Sequence, residues 1–257
     1  MMGPIHSDIF FRDRLILNGV NLRLKLNRAK NSFSLVSSVP GANFKVVITE
    51  DILYVRKVKV ASSITLGNVA ALKQSTAKYP IRRVDCKVLS IPGGLSSFTP
   101  DNLFLGHIPK RLVCVMVDTE AYNGTYSSNP YNFKYHNLTQ EGVYVDGEQI
   151  PRKPLFLKFS EAGGQKFIAG FQGLFSGTGK LSQDGGNQIN RGDYASGYTA
   201  FCFDLSPEHC SGDHFELKKQ GNLRIEVHFG QALANTVNLI IYAQFQNVIE
   251  IDASRND

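Results

Sequence analysis

Apolar and polar side chains alternate with a period of two along most of the chain. In residues 17–27, four aliphatic side chains alternate with polar ones, which is the pattern of a half-buried strand. Asp146-Gly147 between two β-prone segments predicts a hairpin turn. The same alternation and short apolar runs predict nine strands in all: 17–27, 44–48, 52–60, 81–91, 111–118, 142–150, 198–205, 222–229 and 237–251.

One segment, residues 62–80, has helical spacing instead. Ile64, Val69 and Leu72 recur at intervals that place them near one side of a helix, and the pattern stops at Pro80. Gly67 and several β-branched residues are less favourable to a helix.

Three long connections separate the predicted strands, at 92–102, 119–140 and 160–197. Many short strands with turn signals are typical of an antiparallel sandwich, and long connections favour a jelly roll over a tight barrel. The sequence therefore predicts an all-β, antiparallel jelly-roll sandwich with long loops and one short helix. No linker or internal repeat interrupts residues 1–257, so we expect a single jelly-roll domain.

The chain is mildly basic, with a formal net charge of +6 and a sequence pI near 9.1. Its basic residues are spread along the chain, so we expect no specific nucleic-acid partner. The N-terminal sequence MMGPIHSDIFFRDR lacks the apolar core of a signal peptide, and no apolar run is long enough to span a bilayer. We therefore expect an intracellular protein, in cytoplasm or nucleus, without a membrane partner.

The four cysteines lie far apart and form no CxxC pair. Cys86, Cys114 and Cys202 fall in apolar, strand-like runs, which predicts buried free thiols.

The stretch FQGLFSGTGKLS, residues 171–182, has the glycines and the Gly179-Lys180 pair of a phosphate-binding loop. A Walker A loop requires G-x-x-x-x-G-K-[ST] between a strand and a helix. Leu174 occupies the position of the first glycine, and Leu181 replaces the hydroxyl residue that would bind magnesium. We therefore expect no nucleotide-binding site and interpret the stretch as a glycine-rich loop.

The tripeptide Arg191-Gly192-Asp193 lies in the connection 160–197, among glycine, asparagine and serine residues. The same tripeptide binds integrins in other proteins, so Arg191, Gly192 and Asp193 are a candidate attachment loop. A plain surface turn is the other interpretation.

Residues 208–214, EHCSGDH, gather several potential metal ligands, but their spacing matches no zinc pattern. No Ser-His-Asp order or close carboxylate pair can be singled out in the sequence, and no cupin-like H-x-H spacing is present. We therefore expect no catalytic residue, no metal and no cofactor. A structural protein, a binding module and, less favoured, a cupin-type enzyme stay open on the residues alone.

Nine blocks of the sequence carry a resemblance to a known family. They are residues 10–35 (FFRDRLILNGVNLRLKLNRAKNSFSL), 53–72, 75–94, 101–138, 144–155 (YVDGEQIPRKPL), 174–180 (LFSGTGK), 197–208 (GYTAFCFDLSPE), 218–229 and 242–252 (YAQFQNVIEID). Together and in this order they resemble the major capsid protein of Maverick/Polinton transposons and related adintovirus-like elements of animal genomes. That family is similar in plan to the adenovirus hexon and other double jelly-roll capsid proteins.

The resemblance implies a structural subunit that self-assembles into trimeric or pseudo-hexameric capsomers of a virion or capsid. In the family another β-rich half precedes the block HSDIFFRDR, so this chain corresponds to the C-terminal jelly roll. The implied partners are further copies of the chain and a chain that carries the missing N-terminal jelly roll. The alternative is a domesticated or stand-alone jelly-roll module for glycan or cell attachment.

Overall fold

The computed structural model describes residues 3–104, 106–160, 165–181, 184–206 and 220–255. Within these residues the helical elements are a 3-10 turn at Asp8–Phe11 and the α-helices α1 Asn31–Ser34, α2 Ser62–Gln74, α3 Thr119–Asn123, α4 Ile168–Gly177 and α5 Arg191–Ala195. The strands are β1 Ala77–Ile91, β2 Ser97–Phe98, β3 Arg111–Asp118, β4 Leu138–Val145, β5 Glu148–Phe156, β6 Ala200–Asp204, β7 Leu223–Phe229 and β8 Val237–Ile251.

The strands form two four-stranded sheets with the strand order of a jelly roll. The first sheet runs β1-β8-β3-β6 and the second runs β2-β7-β4-β5. Neighbours therefore include β1 with β8, β2 with β7, β3 with β6 and β4 with β5. Taken in chain order, these strand pairs alternate between the two sheets, which is the strand arrangement of a jelly roll. The predicted fold class, an all-β antiparallel jelly-roll sandwich, is confirmed.

Alternation along the strands turns one face of each sheet toward a shared apolar core. In β7, Leu223, Ile225 and Val227 are buried, and the residues between them are half-buried. β3 pairs antiparallel with β6 on one side and with β8 on the other, so Cys114 lies opposite both Phe201 and Ile241. Each fully buried aliphatic side chain of this kind stabilises the fold by roughly 1.5–3 kcal/mol.

The predicted hairpin at Asp146-Gly147 is confirmed. β4 and β5 pair antiparallel, with Val145 opposite Glu148. Asp146 and Gly147 have φ values of 53° and 86°. A two-residue turn that matches the strand twist requires this left-handed backbone at both positions.

Three predicted strands, 17–27, 44–48 and 52–60, are wrong, because the structure assigns no strand to these residues. Alternation shows which face of a strand would be buried, but a strand also needs a neighbour that supplies hydrogen bonds and an apolar surface. In the described part of the chain no strand pairs with these segments. Five of the other six predicted strands are confirmed, and 111–118 and 237–251 have the predicted ends. The sixth, 142–150, is the hairpin described above, with parts of β4 and β5 on either side of the turn.

The predicted helix 62–80 is confirmed only in its first part, since α2 ends at Gln74. β1 begins at Ala77, so Pro80 lies inside a strand. β1 is an edge strand of its sheet, where a proline is tolerated because the missing N–H donor removes no central ladder bond.

Two of the predicted buried thiols, Cys114 and Cys202, are buried, whereas Cys86 on the edge strand β1 is exposed. An edge strand has a neighbour on one side only, so fewer of its side chains are covered.

The chain forms two compact units. The smaller consists of Met1–Arg28, Val46–Arg83 and Gln246–Asp257, and the larger of Ala29–Lys45 and Val84–Phe245. In the smaller unit the buried hydroxyl of Tyr79 accepts a hydrogen bond from the Leu17 N–H and donates one to the Leu15 carbonyl, both at 3.2 Å. The larger unit contains the apolar core. The single-domain assignment stays a prediction.

Helix α4 packs closely against the edge strand β6 through its glycines. A Cβ atom on Gly177 would lie 2.6 Å from Cys202 Sγ, and one on Gly170 would lie 2.9 Å from the Tyr194 hydroxyl. The interpretation of residues 171–182 as a glycine-rich loop is therefore wrong for residues 171–177, which are helical. Here the absence of a side chain lets helix and strand approach, and only Gly179, just beyond the helix, uses a left-handed φ of 71°.

The connection from β5 to β6 adds a stack of aromatic rings to the core. Tyr135, Phe159 and Phe167 stack in turn, with centroids 4.3 Å and 5.1 Å apart, and Phe167 contacts Tyr194 at 6.0 Å. Tyr194 is fully buried and meets the Phe201 ring edge-on. β5 and β6 are edge strands of the two sheets. We call the described residues of 157–199, which connect them, the edge plug.

We expect Gly177→Ala to lower the free energy of unfolding by about 1–3 kcal/mol, because the new methyl group overpacks the contact between α4 and β6. Rotation of the Cys202 thiol would not relieve it, since Cys202 Cβ and its carbonyl oxygen lie 3.1 Å and 3.3 Å from the new atom. Urea denaturation measures the effect.

Gly173→Ala is the matched control, because its Cβ would meet Cys202 at an ordinary 3.8 Å. It should leave stability unchanged or raise it by up to about 1 kcal/mol through helix propensity. Equal losses in the two variants would contradict the close approach at Gly177.

Candidate functional site

Two segments present apolar side chains that no described strand covers. We call residues 17–27 the first arm and residues 46–60 the second arm. Leu24 and Leu26 in the first arm, and Ile48 and Tyr54 in the second, are all exposed. Several exposed apolar side chains within a short segment of a folded chain make that segment a candidate interaction site.

The charged positions of the arms are mostly basic. Their charged residues are Arg23, Lys25, Glu50, Asp51, Arg56, Lys57 and Lys59. Five of these seven side chains are cationic, so a strand that pairs with an arm gains from acidic residues on its own polar face.

The residues between the arms, 29–45, are anchored on the connection from β3 to β4. The Ser37 N–H donates to the Tyr126 carbonyl at 2.7 Å, and the Tyr126 hydroxyl donates to the Phe44 carbonyl at 2.6 Å. The Phe33 ring meets Tyr131 edge-on at 5.8 Å. Residues 29–45 belong to the same compact unit as this connection. We call them the docking strap.

The docking strap lies close to the backbone of the connection from β3 to β4 at Gly124. This glycine ends α3 with a φ of 85°, and a Cβ placed there would lie 3.0 Å from the Phe33 nitrogen. Both the left-handed backbone and the tight contact favour glycine at this position. These contacts hold the strap on the connection from β3 to β4.

The candidate attachment residues lie on a short helix rather than in an open loop. Arg191 and Gly192 are exposed at the start of α5. Asp193 forms a capping box with Asn190, whose side chain accepts a hydrogen bond from the Asp193 N–H at 2.8 Å. Its carboxylate accepts in turn from the Asn190 N–H at 3.5 Å. An attachment role for Arg191, Gly192 and Asp193 stays a prediction.

The sequence analysis also considered a metal site and a membrane span. Residues 208–214, with their potential metal ligands, lie outside the described residues. In the part that is described, no group of three or more His, Cys, Asp or Glu side chains could hold a metal ion. No helix among those residues has the length and apolar character needed to cross a bilayer.

The sandwich contains a buried carboxyl group that the sequence analysis did not identify. Glu141 on β4 is 1% exposed, and neither carboxyl oxygen has a hydrogen-bond partner. It lies opposite Val227 of β7 and Leu155 of β5. The sequence carried a signal of this burial: Glu141 is two and four residues before Val143 and Val145, which are buried, so all three side chains fall on the same face of β4.

Burial raises the pKa of the Glu141 carboxyl from 4.5 to about 8. The Cys114 thiol on β3 acts in the opposite direction, but its geometry does not make a hydrogen bond. Most of the Glu141 side chains are therefore protonated at pH 7. A neutral carboxyl is far less costly to bury than a carboxylate.

No protein-family model matches the chain. An uncharacterized protein of Caenorhabditis elegans, F54H12.2, is 27% identical over 257 residues, which cover 98% of this chain and 61% of that protein. The chain thus spans less than two thirds of the length of the curated relative it matches.

Two solved structures were also found similar. PBCV-1 VP54, fitted into a cryo-EM reconstruction of the virophage Sputnik, has a TM-score of 0.39 and 12% identity over 69% of this chain and 50% of that chain. A quasi-atomic model of the PBCV-1 virus capsid gives 0.39 and 11% over 70% and 50%. At these values the likeness adds nothing to the fold assignment, which rests on the strand order of the two sheets.

We expect Gly124→Ala to release the docking strap, because the added methyl group strains a left-handed backbone and collides with Phe33. Limited proteolysis should then cut residues 29–45 several-fold faster. Gly147→Ala is the control, since Gly147 has the same φ, 86°, and open space around its Cβ position. Equal cleavage of the strap in the two variants would contradict docking at Gly124.

Proposed function

We propose that this chain is a structural subunit of a virus-type capsid, of the kind encoded by Maverick/Polinton elements, and that it acts by assembly without catalysis. One observation supports the proposal above the others: an eight-stranded jelly roll is accompanied by two arms whose sequences have a strand pattern, and no strand of the described residues pairs with them. A subunit that worked as a monomer would gain nothing from leaving that apolar surface uncovered.

The proposed partner of the arms is a β-sheet that completes a second sandwich beside the jelly roll. The sequence resemblance points to the N-terminal jelly roll of the same family as its source. Strand addition supplies main-chain hydrogen bonds and lets the arms bury alternate side chains.

Assembly would place the subunit in a capsid shell, as a trimer with two jelly rolls per subunit or as a ring of single ones. Copies of this chain contact one another in either arrangement. Within the larger unit the docking strap is held on the connection from β3 to β4, so assembly does not require the strap to fold anew.

Light scattering on a sizing column tests the proposal directly. We expect discrete trimers or hexamers, or a shift to such species when the chain is co-expressed with the family's N-terminal jelly roll. A monomer under both conditions would contradict capsid assembly and favour the stand-alone binding module.

A matched pair of variants tests the role of the arms. We expect Leu24→Asp to abolish assembly, because it puts a charge where an apolar side chain must be buried. Asn21→Asp adds the same charge to the opposite face of the same arm and should still assemble. Both positions are exposed, so the melting temperature of the jelly roll should not change. Equal assembly by both variants would refute pairing through the apolar face.

A further inference from the structure

The edge strand β5 carries a wide bulge. Val143 of β4 pairs with Ile150 of β5, and Glu141 of β4 pairs with Leu155 of β5. Between these pairs β5 has the residues 151–154, Pro-Arg-Lys-Pro, where β4 has a single residue. The extra residues cannot pair, so they bend away from the partner strand. The bulge therefore projects from the free edge of the second sheet.

Two prolines restrict the backbone of this bulge. Pro151 and Pro154 have a nearly fixed φ and no N–H, so they also prevent an added strand from pairing here. Between them Arg152 and Lys153 are exposed. The bulge thus presents two neighbouring cations on a backbone that loses little conformational freedom when a ligand binds.

A second pair of cations lies just beyond the end of β5. Lys158 and Lys166 face each other across an antiparallel bridge, with backbone hydrogen bonds of 3.0 Å and 2.7 Å. Residues directly opposite each other have Cβ atoms about 4.5–5.5 Å apart, and like charges at that spacing destabilise the pairing. A bound anion would offset this repulsion.

Phe156 lies between the two pairs of cations along the chain. Its neighbours Leu155 and Leu157 pack into the core, so Phe156 points to the outer face of the second sheet, where it is 65% exposed. Lys158 is two residues further along and also lies between buried residues. Alternation places it on the same face, roughly 7 Å from Phe156. An exposed ring flanked by cations offers a surface on which a nucleobase can stack.

The four cations are not neutralised within the described part of the chain. There, their side chains take part in no ion pair and no hydrogen bond. The register also places Glu226 of β7 on this face, opposite Gly142. Its carboxylate already accepts a hydrogen bond from His228 at 2.7 Å. The surface therefore combines uncompensated positive charge with one exposed aromatic ring.

We propose that this surface binds single-stranded nucleic acid without sequence preference. The cations contact phosphates, and the Phe156 ring stacks on a base. We call it the basic face, and its residues are Arg152, Lys153, Phe156, Lys158 and Lys166.

The ring decides between the possible polyanions. A duplex keeps its bases stacked inside the helix, and an acidic peptide has no base to stack, so neither makes use of Phe156. Contacts to phosphates carry no sequence information, so no specific nucleic-acid partner is implied. The proposal uses neither arm and does not depend on capsid assembly.

The salt dependence of binding tests the role of the cations. We would titrate the full chain into a labelled oligo-dT of about 16 nucleotides and follow fluorescence anisotropy at about 50–200 mM salt. Four phosphate contacts predict that the logarithm of the affinity falls with the logarithm of the salt concentration with a slope of about −3. The double variant Arg152→Gln/Lys153→Gln should have about half that slope.

Lys73→Gln/Arg82→Gln is the matched control, because it removes the same charge from two exposed cations of the smaller unit. It should keep the wild-type slope. An equal loss of slope in the two double variants would show that overall charge drives binding, and would overturn the proposal. Absence of wild-type binding at the lowest salt concentration would overturn it as well.

Phe156→Ala tests the stacking contact. It should weaken binding of the oligo-dT about tenfold with an unchanged salt slope, and leave the weaker binding of a duplex of the same length unaffected. The melting temperature should not change, because the ring is exposed. Wild type that binds the duplex as tightly as the single strand, or a variant that binds oligo-dT as tightly as wild type, would overturn the proposal.

Discussion

Every strand of the jelly roll depends on a dry space between its two sheets. The inward faces of β3, β7 and β8 are aliphatic and aromatic, and they stabilise the fold only while water is excluded. A two-sheet sandwich has open edges, and here β5 and β6 provide two of them. The edge plug adds its rings to the core from the connection between these strands, and glycines let α4 approach the backbone of β6. Glu141 fits the same space only as a neutral acid.

The alternation of apolar and polar residues predicted strands correctly where a neighbouring strand pairs with the segment. β3 and β8 have the predicted ends because both lie inside a sheet and their apolar runs are continuous. The arms have an equally clear pattern and form no strand. Period-two alternation describes a side-chain face, and the pairing that turns it into a strand depends on residues far away in the chain.

The candidate site was predicted less well, because its decisive features are spatial. α4 contains three glycines, so its local propensity opposes a helix, and packing against β6 overrides that propensity. Gly124 matters through Phe33, about ninety residues earlier in the sequence. Glu141 was detectable in principle from its parity with Val143, but parity does not reveal that β5 and β7 enclose it without a cation. The docking strap has no sequence signature apart from its aromatic residues.

The basic residues of the arms have a consequence for the chain during synthesis and storage. Exposed β-prone segments with low charge nucleate fibrils by pairing with identical copies of themselves. Arg23 and Lys25 in the first arm, and Lys57 and Lys59 in the second, put like charges beside one another in any in-register stack of that kind. The same cations favour an acidic complementary strand. The charges that oppose self-pairing of the arms would, in the proposed assembly, also select the partner, so that protection against fibril formation and recognition would come from one set of residues.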